Sequence, residues 1–300
     1  MRLLYLSLLS FVFITSTTLA LSGGMVTSGR PPSASDNQLL APLPTLDAEA
    51  TFPIISARAA LAVDLDSGVT LYEKNPDKLL LPASTTKIIT ALVAMDYYPE
   101  EMVLKVGKFK VEGQKMGLVE GEEITAGNLL YGLLMFSAND AAEVLAQNFP
   151  GGRDSFIAAM NQKAQQLHLE NSNFVNPSGL DGGNHFSTAR DLVRVSQIAM
   201  ENPKFAEIVG TKEKEIKSVD GLISHKLVNI NELVGSVDGV LGVKTGWTED
   251  ARENLVTYIE RDGKKIMIAV LASQDRFGET KELIEWIFDN YQWKEVVYSP

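Results

Sequence analysis

The hydrophobic positions of this 300-residue chain change period twice. Ala59-Ala60-Leu61-Ala62-Val63-Asp64, the turn Asp66-Ser67-Gly68 and residues 69–73 read as strand, turn, strand. After the apolar run 79–83 the period becomes helical, with Ile88, Ile89, Leu92, Val93 and Met95 on one face of a helix that begins at Ser84. Thr125 is the expected cap of a helix reaching Met135, Asn139 opens an Ala-rich helix to about Phe149, and Phe156, Ile157, Met160 and Ala164 mark a helix over 153–167. Thr188 and Asp191 predict a capping box ahead of a helix to about Met200. Alternation returns at 240–244, and residues 254–259 are expected to pair with 265–271 across Arg261-Asp262-Gly263-Lys264, because Asp-Gly between two apolar runs favours a tight hairpin. Leu283, Ile284, Trp286 and Ile287 stripe a closing helix over 279–291. Strands at both ends with helices between them predict an α/β (α+β) fold: one antiparallel sheet built from both chain ends, flanking helices and a helical lobe.

The remainder of the chain sets the organisation. Met1-Arg2 followed by an apolar stretch to Ile14, with Thr18-Leu19-Ala20 after it, reads as a signal peptide or N-terminal anchor over 1–20. Residues 21–56 are rich in Pro, Ser and Gly without a period and read as a flexible linker, leaving a folded domain over 57–292 and a tail over 293–300. The expected location is outside the cytoplasm, with membrane contact only through the N-terminal segment. A formal charge of −11 argues against nucleic acid, which attracts basic domains. With no Cys, and three His that form no His-x-x-x-His pair, neither thiol catalysis nor a zinc site has ligands to build on, and no metal or cofactor is expected.

The chemistry lies in three short strings: Ser84-Thr85-Thr86-Lys87, Ser137-Ala138-Asn139 and Lys244-Thr245-Gly246. Ser84 falls in the first turn of a buried helix, where unpaired N–H groups favour negative charge on a nearby oxygen. The i, i+3 spacing sets Lys87 on the same face. A serine hydroxyl attacks only when a base takes its proton, and a lysine is such a base only when burial or a second cation lowers its pKa. Lys244 is the candidate second cation.

In that order the strings resemble the Ser-x-x-Lys, Ser-x-Asn and Lys-Thr-Gly motifs of the penicillin-recognising serine acyltransferases. The segments Gly121–Thr125, Leu129–Leu134, Ser137–Ala142, Asn173–Leu180 and Phe186–Leu192 narrow the resemblance to the low-molecular-mass penicillin-binding proteins, the D-alanyl-D-alanine carboxypeptidases, over residues 57–292. The resemblance implies a groove between sheet and helical lobe as the active site. It implies that Ser84 attacks the penultimate D-alanine of a peptidoglycan stem peptide ending in D-Ala-D-Ala, with Lys87 as base and Ser137 relaying a proton to the leaving amine. Asn139 would bind Lys87 and the substrate amide, Lys244 would keep the site electropositive, and Thr245 would contact the terminal carboxylate. Gly246 completes the third motif, and the backbone N–H groups of Ser84 and Trp247 would form the oxyanion hole. β-Lactams would acylate Ser84 as covalent inhibitors. His185, in a Gly-rich loop, is expected to be a solvated residue.

The chain departs from the resemblance at Ala251-Arg252, where many members have Ala-Gly, and at Glu279, where many carboxypeptidases have an Arg for the substrate carboxylate; Arg276 lies three residues earlier. Many members also continue into a β-rich domain and a C-terminal anchor. Two alternatives therefore stand beside the carboxypeptidase: an endopeptidase that cuts D-alanyl cross-links, and a β-lactam-binding or sensing module that does not turn over. The Glu-x-x-x-Asn pattern that a class A β-lactamase needs for deacylation does not occur over 143–232.

Overall fold

The computed structural model describes residues 41–296. The expected signal or anchor over 1–20, and the linker and tail residues outside 41–296, lie outside the described residues. The chain enters through β1 (Leu43–Leu46), β2 (Ala59–Asp64) and β3 (Thr70–Lys74), then a 3-10 turn at Ala83–Thr86 that runs directly into α1 (Lys87–Tyr97). β4 (Val103–Lys105) and β5 (Glu123–Thr125) form a small pair that leads to α2 (Ala126–Leu134), α3 (Asn139–Gln147) and α4 (Gly152–Gln166). Then come α5 (Ala189–Met200), α6 (Pro203–Gly210) and the hairpin β6 (Glu213–Lys217) with β7 (Ser224–Val228). The chain closes with β8 (Val240–Thr248), β9 (Arg252–Arg261), β10 (Lys264–Ser273), α7 (Arg276–Asn290) and β11 (Tyr291–Lys294).

Five strands make one antiparallel sheet in the order β3-β2-β10-β9-β8, so the first strands of the domain sit beside the last. Both faces are covered, and the side-chain alternation sorts accordingly. Ala59 and Leu61 of β2 and Met267, Ala269 and Leu271 of β10 join the core made with α1 to α6. Ala60 and Ala62 with Ile266, Ile268 and Val270 face the other way, onto Leu283, Ile284 and Ile287 of α7. These strands read as almost continuously apolar because neither face meets water.

Two expectations are corrected. Residues 43–46, assigned to the linker, form β1 and pair antiparallel with β11, which takes in Trp293 and Lys294 of the expected tail. The linker segment next to the domain is also anchored: Glu279 accepts hydrogen bonds from the backbone N–H groups of Ser56 and Ala57. The capping box is half present. Thr188 Oγ1 accepts from Asp191 N at 3.1 Å, but the Asp191 carboxylate turns to Asn171 N (2.8 Å) and Ser172 Oγ (2.7 Å), tying a loop to the start of α5.

Candidate active site

The turn that carries Ser84 is held from several directions. Leu80 bridges to Ser187, Asn254 Nδ2 on β9 donates to Leu81 O at 2.9 Å, and Thr85 Oγ1 donates to Pro82 O at 2.6 Å. Ala83 adopts φ +47°, a left-handed conformation that costs an L-residue about 1–2 kcal/mol and persists only where its surroundings impose it. Thr86 Oγ1 bonds His185 Nε2 at 2.9 Å. Because His185 Nδ1 accepts from Val175 N at 3.2 Å, Nε2 carries the hydrogen and donates to Thr86. His185 is therefore a buried strut of the Ser84 turn and not the solvated loop residue expected.

Lys87 Nζ, fully buried, lies 2.8 Å from Ser84 Oγ, 2.6 Å from Asn139 Oδ1 and 2.6 Å from the Ser178 carbonyl. Burial, and after it the charge of Lys244, lowers its pKa well below 10.5, while Asp140 and Glu143 act in the opposite direction. Lys244 is also buried and donates to Thr245 O at 2.9 Å; burial, then the charge of Arg276, brings it down to about 7. The downward shift of Lys87 favours its neutral form, as a base at this position requires.

Asn139 opens α3. Its Nδ2 donates to Glu112 O and its backbone N–H to Gln114 O, both at 2.7 Å, which fixes the amide so that Oδ1 faces Lys87. Next to it the Asp140 carboxylate accepts from Met116 N, Gly117 N and Leu118 N at 2.9–3.1 Å. Ser137, buried in the turn between α2 and α3, has φ +61°.

Ser84, Ser137, Asn139, Thr245, Gly246 and Trp247 line one cleft of about 800 Å³. Lys87 and Lys244 lie buried beside it. Trp247, 61% exposed, stands at its mouth. All eight residues read from the sequence are thereby gathered at one place.

Two participants were not read from the sequence, and a third was read only as a charge near the last helix. The Ser178 carbonyl belongs to a loop tied down by Asn176, whose Oδ1 accepts from Ser178 N, Gly179 N and Leu180 N. That loop lies in a segment already singled out as a motif, but the contribution is a carbonyl, which no residue type advertises. The wall residues Glu112 to Gln114 are the second. The third is Arg276: α7 starts at 276, three residues earlier than expected, and its first residue lines the cleft, with Nη1 3.4 Å from Gly246 O and Nε buried without a hydrogen-bond partner among the described residues. Glu279, where an Arg was sought, is a buried anchor bonded to Ser56, Ala57 and Ser273 Oγ. The other departure is conformational, since Arg252 adopts φ +60°, a region glycine enters freely.

Known proteins share this arrangement of sequence and fold. The pattern of a family described as D-alanyl-D-alanine carboxypeptidase matches residues 47–275. The D-alanyl-D-alanine carboxypeptidase DacB2 of Mycobacterium tuberculosis is 38% identical over 230 residues, covering 75% of this chain and 76% of that one. A D-alanyl-D-alanine endopeptidase of Pseudomonas aeruginosa is 32% identical over 241 residues, 78% of this chain and 77% of its own. The crystal structure of the Streptomyces K15 DD-transpeptidase superposes with a TM-score of 0.75 at 32% identity, covering 80% of this chain and 100% of that one.

Proposed function

The chain belongs to the D-alanyl-D-alanine carboxypeptidase family, and from that membership we propose that Ser84 is its nucleophile, Lys87 the general base, and the cleft beside β8 the seat of a D-Ala-D-Ala terminus. The protein is a serine-type D-Ala-D-Ala carboxypeptidase, a penicillin-binding hydrolase of cell-wall peptides.

The contacts of Lys87 carry the assignment. A neutral amine has two hydrogens and one lone pair. Asn139 Oδ1 and the Ser178 carbonyl are acceptors only, so they take both hydrogens and leave the lone pair for the Ser84 hydroxyl, 2.8 Å away. Ser84 Oγ attacks the carbonyl carbon of the penultimate D-alanine as its proton passes to Lys87 Nζ. The oxyanion is stabilised by the backbone N–H groups of Ser84 and Trp247. When the C–N bond to the terminal D-alanine breaks, the proton travels from Lys87 through Ser137 to the leaving amine. Water then hydrolyses the acyl-serine. Lys244, Thr245 and the unpaired edge of Arg276 hold the substrate carboxylate, which favours a free C-terminus over a cross-link. A β-lactam offers a comparable carbonyl and carboxylate and acylates the same serine. Because such stems lie in the wall, the enzyme acts outside the cytoplasmic membrane, with 1–20 as export signal or anchor. No helix among the described residues is long and apolar enough to cross a membrane.

The test is to incubate the protein with pentapeptide monomers and cross-linked dimers and identify products by mass spectrometry. Free D-alanine from monomers is the expected result. Monomers from dimers with pentapeptide untouched would make it an endopeptidase, like the Pseudomonas aeruginosa relative. Penicillin labelling without either product would make it a binding module. Ser84→Ala abolishes labelling and leaves the fold intact; labelling at the original rate would remove Ser84 as nucleophile.

A further inference from the structure

The cleft wall contributed by residues 109–118 is a single irregular stretch of chain with open space on two sides. Glu112, Gly113 and Gln114 line the catalytic cleft, while Phe109, Lys110, Lys115 and Leu118 line a second cavity of about 910 Å³; Glu112 lines both. Phe109, Met116 and Leu118 pack against the core, while the exposed stretch from Glu112 to Lys115 between them is positioned by hydrogen bonds. Three go to Asp140, and two join it to Asn139. A further bond comes from outside the catalytic motifs. His225 on β7, buried, points Nδ1 at the Met116 carbonyl at 3.1 Å and Nε2 at Glu122 Oε1 at 2.7 Å. The other Glu122 oxygen accepts from Val119 N at 3.1 Å. A carbonyl only accepts, so Nδ1 donates, and the Glu122 contact fixes the ring in that orientation.

We propose that His225 and Glu122 are a positioning pair for acylation: they clamp the wall at Met116 and, through the wall, hold Asn139 where its Oδ1 receives Lys87. The inference rests on Lys87 being the base. Neither residue touches substrate.

The test is the rate and the end point of labelling with a fluorescent penicillin. The end point counts molecules with a formed site, and the rate reads the geometry within them. In His225→Asn the side-chain amide nitrogen overlays Nδ1 and keeps the donation to Met116. In His225→Gln the amide overlays Nε2, which keeps the Glu122 contact and gives up the carbonyl. The expected result is a full end point in both, with acylation close to the original rate in His225→Asn and about tenfold slower in His225→Gln, the scale of one lost hydrogen bond. Equal rates in the two variants, or a loss confined to the end point, would overturn the proposal. Should neither variant fold, Glu122→Gln and Glu122→Leu decide the same question. The amide of Glu122→Gln accepts from Val119 N through its oxygen and offers its NH2 group to His225 Nε2, preserving the ring's orientation with Nδ1 donating to Met116, whereas Glu122→Leu frees it. Acylation about tenfold slower in Glu122→Leu than in Glu122→Gln, at full end points, supports the clamp, and equal rates refute it. Absence of labelling in the unaltered protein would instead strike the assignment of Ser84 and Lys87.

Discussion

The carbonyl of Ala83 lies so close to Gly179 that a Cβ at position 179 would overlap its oxygen and stand 3.0 Å from the backbone nitrogen of Ser84. Gly246 of β8 approaches the same turn, and a Cβ there would meet Ser84 N at 2.9 Å. Ser84, the proposed nucleophile, is thus positioned by backbone pressed against backbone.

Gly179→Ala is expected to disable the enzyme without unfolding it. Alanine at φ +85° costs about 1–2 kcal/mol, and relief of the overlap must move the Ser84 turn or the Ser178 carbonyl that Lys87 uses. A displacement of about 1 Å at reacting atoms costs about 100-fold in rate. Penicillin acylation should therefore slow by about that factor while the melting temperature falls by only a few degrees. Acylation at the original rate would show that the turn does not depend on this approach.

The pH profile follows from the two amines. As the proposed base Lys87 acts only when neutral, so kcat/KM should rise with pH as Lys87, held well below 10.5 by burial and Lys244, loses its proton. Lys244, brought down to about 7 by burial and Arg276, loses its charge as pH passes that value, and its attraction for the substrate carboxylate goes with it. An alkaline fall is expected for peptides with a free C-terminus. A peptide whose terminal carboxylate is blocked as an amide should lack most of the alkaline fall, and a fall of equal size for both would detach Lys244 from carboxylate binding.

Arg276→Gln separates binding from ionisation. Removing the guanidinium takes away a charged partner of the carboxylate, worth about 1.5–3 kcal/mol, so KM should rise about 10- to 100-fold. It also removes a positive charge that depresses Lys244, so the alkaline limb should move to higher pH. Steady-state kinetics over pH 5–10 reads both effects; an alkaline limb that stays in place would mean that burial alone sets Lys244.

Much of this was legible because the signals are local. The Asp262-Gly263 turn joins β9 to β10, the stripe of Ile88, Ile89, Leu92 and Val93 buries α1, and seven polar or glycine positions in three strings, with Trp247 after the third, gather at one cleft. What escaped was non-local or carried by the backbone. β1 and β11 are four residues each, come from opposite ends of the domain and have no pattern that predicts their pairing. The Ser178 and Glu112 carbonyls act through atoms that every residue has. Arg276 was visible as a charge, but only the true start of α7 turns it into the cleft.

Glu279 tests a structural role near the site. Its two oxygens accept from Ser56 N, Ala57 N and Ser273 Oγ, so the amide of Glu279→Gln confronts at least one donor with another donor. A loss of about 1–3 kcal/mol in denaturant unfolding is expected. Penicillin acylation within the folded fraction should stay at the original rate, since Arg276 and not Glu279 lines the cleft. Slowed acylation would return Glu279 to the catalytic apparatus.

His185 connects acid stability to the nucleophile. Burial lowers it from 6.5 to about 4 in the folded protein, so the folded state binds fewer protons than the unfolded chain between those values. The resulting stability is complete above about 6.5 and is lost as pH falls towards about 4, a change of about 3 kcal/mol. Protonation also removes the acceptor that Nδ1 offers Val175 N, while Nε2 still donates to Thr86, one residue from Lys87. Acid should therefore loosen the Ser84 turn together with the loop that carries Ser178. Denaturant midpoints at pH 7 and pH 4.5 measure the effect. The difference should shrink in His185→Gln, which has no titrating ring, and an equally large difference in that variant would assign the acid sensitivity to other groups.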